Sequence, residues 1–422
     1  MSALTAAPSR TGRTDTTDPV PGRGRLSHPF AFAAITAIFV VFTAASSAPS
    51  PLYVVYQEEW GFSATTLTAV FAVYVVGLLA ALLVVGALSD HVGRRPVLAA
   101  AIALEAVALV LFIVAGGVPV LALARVLQGV ATGAAMTTLG ATLVDLNPSH
   151  APGRAGVVNG IAPISGLAVG ALGCGVLVQV GPAPTHLVYA VLLAGMVLAA
   201  AVVARMPETS AGRPGARASL VPRVGIPVHL RPEVFALVPV LAASWALGGL
   251  YLSLGPSVAA SLFGLHSHLI GGLVVTLLCG TGAVTAFVLR AWPSGRVMAT
   301  AAALLAGGML MTLAGVEAER AGLAAGGTVV AGVGFGAAAL GCFGTLARLA
   351  APHERGELFA VAYVISYVAF SVPAVAAGLA SSSAIGLHDT TIAYGVGVVI
   401  LSLAALIAQR ALSVRRRRSA EA

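Results

Sequence analysis

Few residues in this chain are equipped for chemistry, and they fall into three groups. The first is a short polar stretch, Gly86-Ala-Leu88-Ser-Asp90-His-Val-Gly93-Arg94-Arg95-Pro-Val-Leu98. It holds an acid, Asp90, and a base, Arg94, where charge is affordable, and Gly93 permits a tight turn. Gly86 permits a neighbouring helix to come close. The second group is a lone base and a lone acid inside otherwise apolar runs, Arg125 and Glu105. Charge at such depth is retained mainly where it faces protein or a wet cavity. Arg125 suits an anionic solute, or the repulsion of a proton from a nearby acid. The rise per residue puts Glu105 within side-chain reach of it, so a direct ion pair is one expectation; the other is that Glu105 turns away and leaves Arg125 free. The third group is aromatic: Trp245, Tyr251, Tyr363 and Tyr367 suit contact with an amphiphilic solute, or plain core and interfacial packing.

Other chemistry is not indicated. There is no G-x-x-x-x-G-K-[ST], no H-E-x-x-H and no G-x-S-x-G, so neither ATP-driven transport nor those hydrolase reactions are expected. Cys174, Cys279 and Cys342 lie singly in apolar segments and read as small packing residues. No metal or cofactor is expected. The chain reads as no enzyme: it shows no His, Asp or Glu cluster at a membrane face.

The elements that must position these groups follow from composition. Of 422 residues, 58% are hydrophobic and 9% charged, with mean hydropathy +0.97. A soluble domain carries roughly a quarter charged residues, so lipid is the natural solvent here. Twelve apolar runs, centred from Val40 to Ile400, each approach the roughly 20 residues that span a bilayer. Period-two alternation is absent, which excludes a membrane β-barrel. The run over residues 29–48 resembles a signal peptide but reads better as a retained first helix. Pro49-Ser50-Pro51 and Gly255-Pro256 are expected to end the first and seventh helices near the interface, with a broken helix at an outer gate as the alternative. The expected organisation is a tail at 1–28, a six-helix bundle at 29–206, a linker at 207–233, a second bundle at 234–411, and a basic tail at 412–422.

Charge supplies an orientation. All 23 basic residues are arginine; 21 fall on one side if the N-terminus is placed inside, against Arg320 outside and Arg125 within a helix. Both termini are therefore expected in the cytoplasm. The net charge of +8 sits in loops and tails and implies no nucleic acid. The halves also repeat. Gly129-Val-Ala-Thr-Gly133-Ala-Ala is echoed by Gly332-Val-Gly-Phe-Gly336-Ala-Ala, Ser165 by Ser366 and Pro49-Ser50 by Pro256-Ser257, at offsets between 201 and 207. Such duplication places a solute site between the halves, near the membrane midplane.

The polar stretch from Gly86 to Leu98 resembles the signature loop of the major facilitator superfamily, G-x-L-a-D-r-x-G-r-k-x-x-l. It matches at Gly86, Leu88, Asp90, Gly93, Arg94 and Leu98, with Arg95 for the usual Lys. Ser89 and His91 depart from the commonest residues. The resemblance implies an all-α membrane fold with twelve transmembrane helices in two six-helix pseudo-repeats, working by alternating access. It implies that the loop and Asp145 form a charge cluster that latches the halves in one state. Arg125-x-x-x-Gly129-x-x-x-Gly133 resembles the family's fourth-helix motif, and its glycines read equally well as packing residues. The fifth helix, from Gly166 to Gly175, looks like a degraded antiporter motif with Ala171 where proline usually stands. The implied function is secondary transport of a small molecule, with proton-coupled efflux of drug-like compounds as the leading expectation. An uptake carrier or uniporter, and a membrane sensor without transport, are the alternatives. The implied setting is a bacterial inner membrane and a monomer among lipid.

Overall fold

The computed structural model describes residues 26–421 apart from 152, 223, 352 and 353. Twelve helices are long and apolar enough to cross a membrane, and no strand occurs among the described residues. The helical segments before the linker are α1 (His28–Ser47), α2 (Pro49–Trp60), α3 (Ala64–Val85), α4 (Leu88–Val92), α5 (Arg94–Ile113), α6 (Val118–Asp145), α7 (Arg154–Val180) and α8 (Pro184–Arg205). After it come α9 (Arg231–Ser253), α10 (Gly255–Phe263), α11 (His268–Val288), α12 (Ser294–Glu317), α13 (Ala321–Leu349), α14 (Arg355–Ser381) and α15 (Gly386–Glu421). This is the twelve-helix, two-repeat architecture that the sequence implies.

The prolines do not end the first helix. Ala48 keeps helical dihedrals (φ −53°, ψ −37°), and α2 carries the span on to Trp60. Pro49 is tolerated because its ring occupies the first turn of a new segment, where an N–H is not required. Gly61, at φ +66°, then stops the chain in a left-handed turn. The second half repeats the device: α10 starts at Gly255, directly before Pro256, and stops at Gly264, at φ +64°.

Lipid supplies little hydrophobic drive between helices, so the bundle is held by close approach of small residues. A Cβ at Gly129 would strike the Tyr74 carbonyl and one at Gly133 that of Leu78, so these two glycines seat α6 on α3. Gly332 meets the Leu278 carbonyl and Gly336 that of Gly282 in the same way, seating α13 on α11. The glycines of α7 serve two neighbours: Gly166 and Gly170 lie against α1, and Gly175 against the start of α11.

The halves meet where α3 packs on α14 and α7 on α11. Thr65 N–H donates to Ser382 Oγ (3.0 Å), and Thr65 Oγ1 to the Gly378 carbonyl (3.1 Å). Ser267 Oγ donates to Gln179 Oε1 (3.1 Å), and Thr276 Oγ1 to the Ala168 carbonyl (3.1 Å). These contacts run from the end of the bundle opposite Arg94 down to mid-depth, so the halves are closed together at that end.

Candidate functional site

Three sites emerge, and they sit at different depths. The first surrounds Arg94. Gly93 adopts φ +102°, which turns the chain sharply into α5 and aims the Arg94 side chain back under α3 and α6. Arg94, 8% exposed, pairs through Nη1 with Asp90 Oδ1 (2.5 Å) and through Nε with Asp145 Oδ2 (3.0 Å). Its Nη1 also donates to Ser89 Oγ (2.7 Å). One guanidinium thus ties the loop to the far end of α6.

The expected pairing partners are present, and so is a carboxylate that sequence reading passed over. Glu208, just past α8, accepts from the backbone N–H of Arg94 (2.8 Å) and of Arg95 (3.1 Å). It covers the orphan donors at the start of α5, where an anion is favoured by the helix dipole. A Cβ at Gly93 would lie 2.9 Å from Glu208 Oε2, so a side chain here would displace that carboxylate besides straining the backbone. Thr209 Oγ1 donates to Asp145 Oδ2 (3.0 Å), and Arg213 N–H to the His91 carbonyl (3.1 Å). Residues 207–213, read from sequence as a plain linker, are docked beneath this loop. The signal for it was one acidic residue directly after a helix. Arg95 turns away from the cluster and donates to the Val203 (3.1 Å) and Ala204 (2.6 Å) carbonyls at the end of α8. Gly86 sits in the turn between α3 and α4, beside the Thr137 side chain.

The second site surrounds Arg125, which is 1% exposed. The guanidinium donates through Nε (2.8 Å) and Nη2 to the Tyr53 hydroxyl, and through Nη1 to the Ser46 carbonyl (3.1 Å) and Gln128 Oε1 (2.6 Å). It also lies 4.8 Å from the centre of the Tyr74 ring, close enough for a cation–π contact. The expected direct pair with Glu105 is not formed. Gln128 stands between them, one turn along α6, and donates from Nε2 to Glu105 Oε1 (3.0 Å) and to the Ala45 carbonyl (3.1 Å). Depth along the axis placed acid and base in reach, but their directions around the helices did not. Glu105 is fully buried against α6, and its Oε2 has no hydrogen-bond partner among the described residues.

The third site is aromatic. Trp245 meets Tyr367 edge-on with ring centres 4.8 Å apart, and Tyr363 stacks near Tyr367 at 6.4 Å. Phe359, Phe343 and Phe370 extend the group, and Phe370 reaches Phe71 of α3 at 5.0 Å. The spacing of Phe359, Tyr363, Tyr367 and Phe370 puts them on one stripe of α14, a pattern visible in the sequence but not read there. Tyr367 OH donates across the interface to Met136 Sδ of α6 (3.7 Å). Tyr363, Trp245, Phe343 and Phe359 are only part-buried, so the stripe borders open space. Tyr251 does not join them. It lies near the other end of α9, its hydroxyl bonded to Thr328 Oγ1 (2.7 Å).

Comparison with known proteins fits this geometry. The sequence model of the Major Facilitator Superfamily matches residues 33–374. The chain belongs to the Major Facilitator Superfamily. A stretch of 115 residues is 34% identical to the MFS-type transporter paaT of Penicillium rubens, over 27% of this chain. This major facilitator spans only 21% of that relative's length. In structure it is similar to the xylose transporter XylE of E. coli in an inward open conformation, with TM-score 0.70 and 15% identity over 90% of this chain and 96% of that one. It is also similar to a bacterial homologue of the human lysosomal transporter Spinster (TM-score 0.69, 14% identity, 91% and 97% covered). The human organic anion transporter MFSD10 superposes at TM-score 0.64 with 17% identity, covering 90% and 100%. At such identities the likeness is one of fold. Among the described residues no cluster of His, Cys, Asp or Glu could hold a metal ion.

Proposed function

We propose that this major facilitator is a secondary transporter that moves a small amphiphilic compound outward in exchange for protons, by alternating access. The observation that carries the reading is the part-buried aromatic stripe of α14, with Trp245 beside it and Met136 opposite. Flat rings set at the junction of two halves offer a solute large apolar contact and few fixed hydrogen bonds, which suits ligands of varied shape. Arg125, Gln128 and Glu105 form the charged element of the N-terminal half. In this reading Glu105 carries the proton and Gln128 relays its charge state to Arg125.

The Asp90–Arg94–Asp145 cluster, seated on Glu208, is the latch. Its ion pairs bias the equilibrium between states only by the energy they lose in the other state. With the halves closed together at the end opposite Arg94, the Arg94 end is the open side in this reading. The arginine distribution supports a cytoplasmic position for that side and for both termini, and the setting we propose is a bacterial inner membrane.

Solute uptake is the second reading. Ala171 stands where the antiporter motif has proline, and XylE is named as a xylose transporter. The test is a ligand panel read by thermal shift on the purified protein. A binder at about 100-fold its dissociation constant adds roughly 2.7 kcal/mol to the folded state. The best binder is then loaded into proteoliposomes carrying an imposed pH gradient. Efflux against its own gradient, driven by inward protons, supports the proposal; flux that ignores the pH gradient rejects it.

A further inference from the structure

The two halves differ at one equivalent place, and the difference leaves a hollow. The glycine seats set the register: Gly129 on Tyr74 corresponds to Gly332 on Leu278. In that register Arg125 corresponds to Thr328 and Gln128 to Ala331; Gly308 of α12 meets Ala331 as Glu105 of α5 meets Gln128, which brings Met309 to the level of Glu105. Phe112 corresponds to Val316, and Tyr53 to Ala260 through the shared proline. At these positions the N-terminal half carries a guanidinium, a phenol and a phenyl ring, the last stacked on Tyr189. The C-terminal half replaces each by a smaller group, and a cavity of about 200 Å³ remains, lined by Met309, Thr312, Val316 and Thr328.

The cavity is unsuited to water. The Tyr251 hydroxyl and Thr328 Oγ1 bond each other, and Thr328 Oγ1 also donates to the Ala324 carbonyl (2.9 Å). Thr312 and Thr391 donate to the Gly308 (3.0 Å) and Leu387 (2.7 Å) carbonyls of their own helices. Every hydroxyl on the wall has an internal partner, so a water would find no site with the two to four polar contacts it needs. Apolar cavities of roughly 150 Å³ stay dry and accept ring-sized apolar molecules.

The cavity also has a mouth. The exposed or part-exposed residues of its lining include Leu273 and Leu277 on α11 and Ala321 and Ala325 on α13, taken as its rim. Leu273 is 37% exposed and begins a stripe that continues through Val284 (64%) and Val288 (59%). That spacing marks one face of a spanning helix, on the side away from α7, and lipid is its solvent. The rim lies within about 15 Å of the first residue of either helix, in the leaflet opposite the Arg94 cluster.

We infer that this cavity holds the end of a lipid acyl chain from that leaflet. An acyl chain matches the dry wall, fits through a mouth beside a lipid-facing stripe, and is the apolar group at highest concentration there. The site is separate from the aromatic stripe and from Arg125, so the inference stands or falls apart from the transport reading.

The experiment uses the full chain in vesicles containing phosphatidylcholine with a diazirine at the middle of one acyl chain. After photolysis, labelled residues are mapped by mass spectrometry. Label on Met309 and Thr312, which belt lipids cannot touch, is expected beside label on Leu273 and Val284. Val316→Phe, which restores the bulk of Phe112, and Ala325→Trp, which obstructs the mouth, are each expected to cut the Met309 and Thr312 label at least fivefold. Both should leave the Leu273 and Val284 label unchanged. Label confined to the outer stripe in the unaltered protein would overturn the inference. So would Met309 label that persists in both variants, or label there from a small apolar diazirine solute but not from the lipid.

Discussion

Gln128 donates from Nε2 to the carbonyl oxygen of Ala45, 3.1 Å away, on a different helix. That carbonyl would ordinarily receive the N–H four residues on, but the residue there is Pro49, which has none. The proline thus exposes an acceptor in the membrane interior, where leaving it bare costs several kcal/mol. Gln128 satisfies it, and the same amide then holds Glu105 and Arg125.

Replacement of Gln128 by leucine should therefore remove three contacts at once. The Ala45 carbonyl and both charged neighbours lose a partner, and each unsatisfied group costs about 1–3 kcal/mol. The expected result is a lowered melting temperature in detergent and transport reduced at least tenfold. Gln128→Glu should differ from Gln128→Leu, because it gives Arg125 a carboxylate and takes a donor from Glu105. Equal behaviour of the two variants would speak against the relay.

Arg125 and Glu105 should be energetically coupled only through Gln128. Arg125→Ala and Glu105→Gln are each expected to impair transport, and the double variant to be less impaired than their sum. Coupling between residues in one network is typically about 0.5–3 kcal/mol. In a Gln128→Leu background the coupling should vanish. Full activity of Arg125→Ala would remove any functional role from this arginine and leave it as a packing group.

At the other end of α6, Asp90→Asn or Arg94→Ala should leave the protein folded and slow transport. Glu208→Ala should act on stability instead, since its carboxylate caps the first turn of α5, a contact worth about 0.5–2 kcal/mol. Gly93→Ala should be worse than Glu208→Ala, because the added methyl meets the Glu208 carboxylate and the backbone there is left-handed. Thermal unfolding combined with initial transport rates separates the two effects. Normal transport by both Asp90→Asn and Arg94→Ala at normal expression would reduce the loop to a determinant of topology.

The aromatic residues named from sequence should split. Tyr367→Ala removes the contact to Met136 and the edge against Trp245, so a bound solute should lose affinity tenfold or more. Tyr251→Phe removes only the hydroxyl bonded to Thr328, so transport should stay within twofold of normal. Direct binding to the purified variants distinguishes these outcomes.

Orientation is checked with reporter fusions. Fusions at His150 and within residues 210–225 should report the cytoplasm, and one at Glu317 the external side. A reversed pattern would overturn the arginine argument and with it the assignment of the open side.

Composition and hydrophobic run length were enough to determine that this chain crosses a membrane twelve times, because a bilayer accepts only long apolar helices with satisfied backbones. The repeat and the Gly86–Leu98 motif were equally legible, since both are local strings. Three things were decided only in space. The helix passes through Pro49 because tertiary contacts from α6 take over its orphan carbonyl, which no local rule for proline anticipates. Glu208 joins the Arg94 cluster from more than a hundred residues away, and chain separation conceals such a contact from any motif. Arg125 and Glu105 lie at compatible depths but are bridged rather than paired, because the rotation of each helix about its axis is set by packing, and rise per residue says nothing about it.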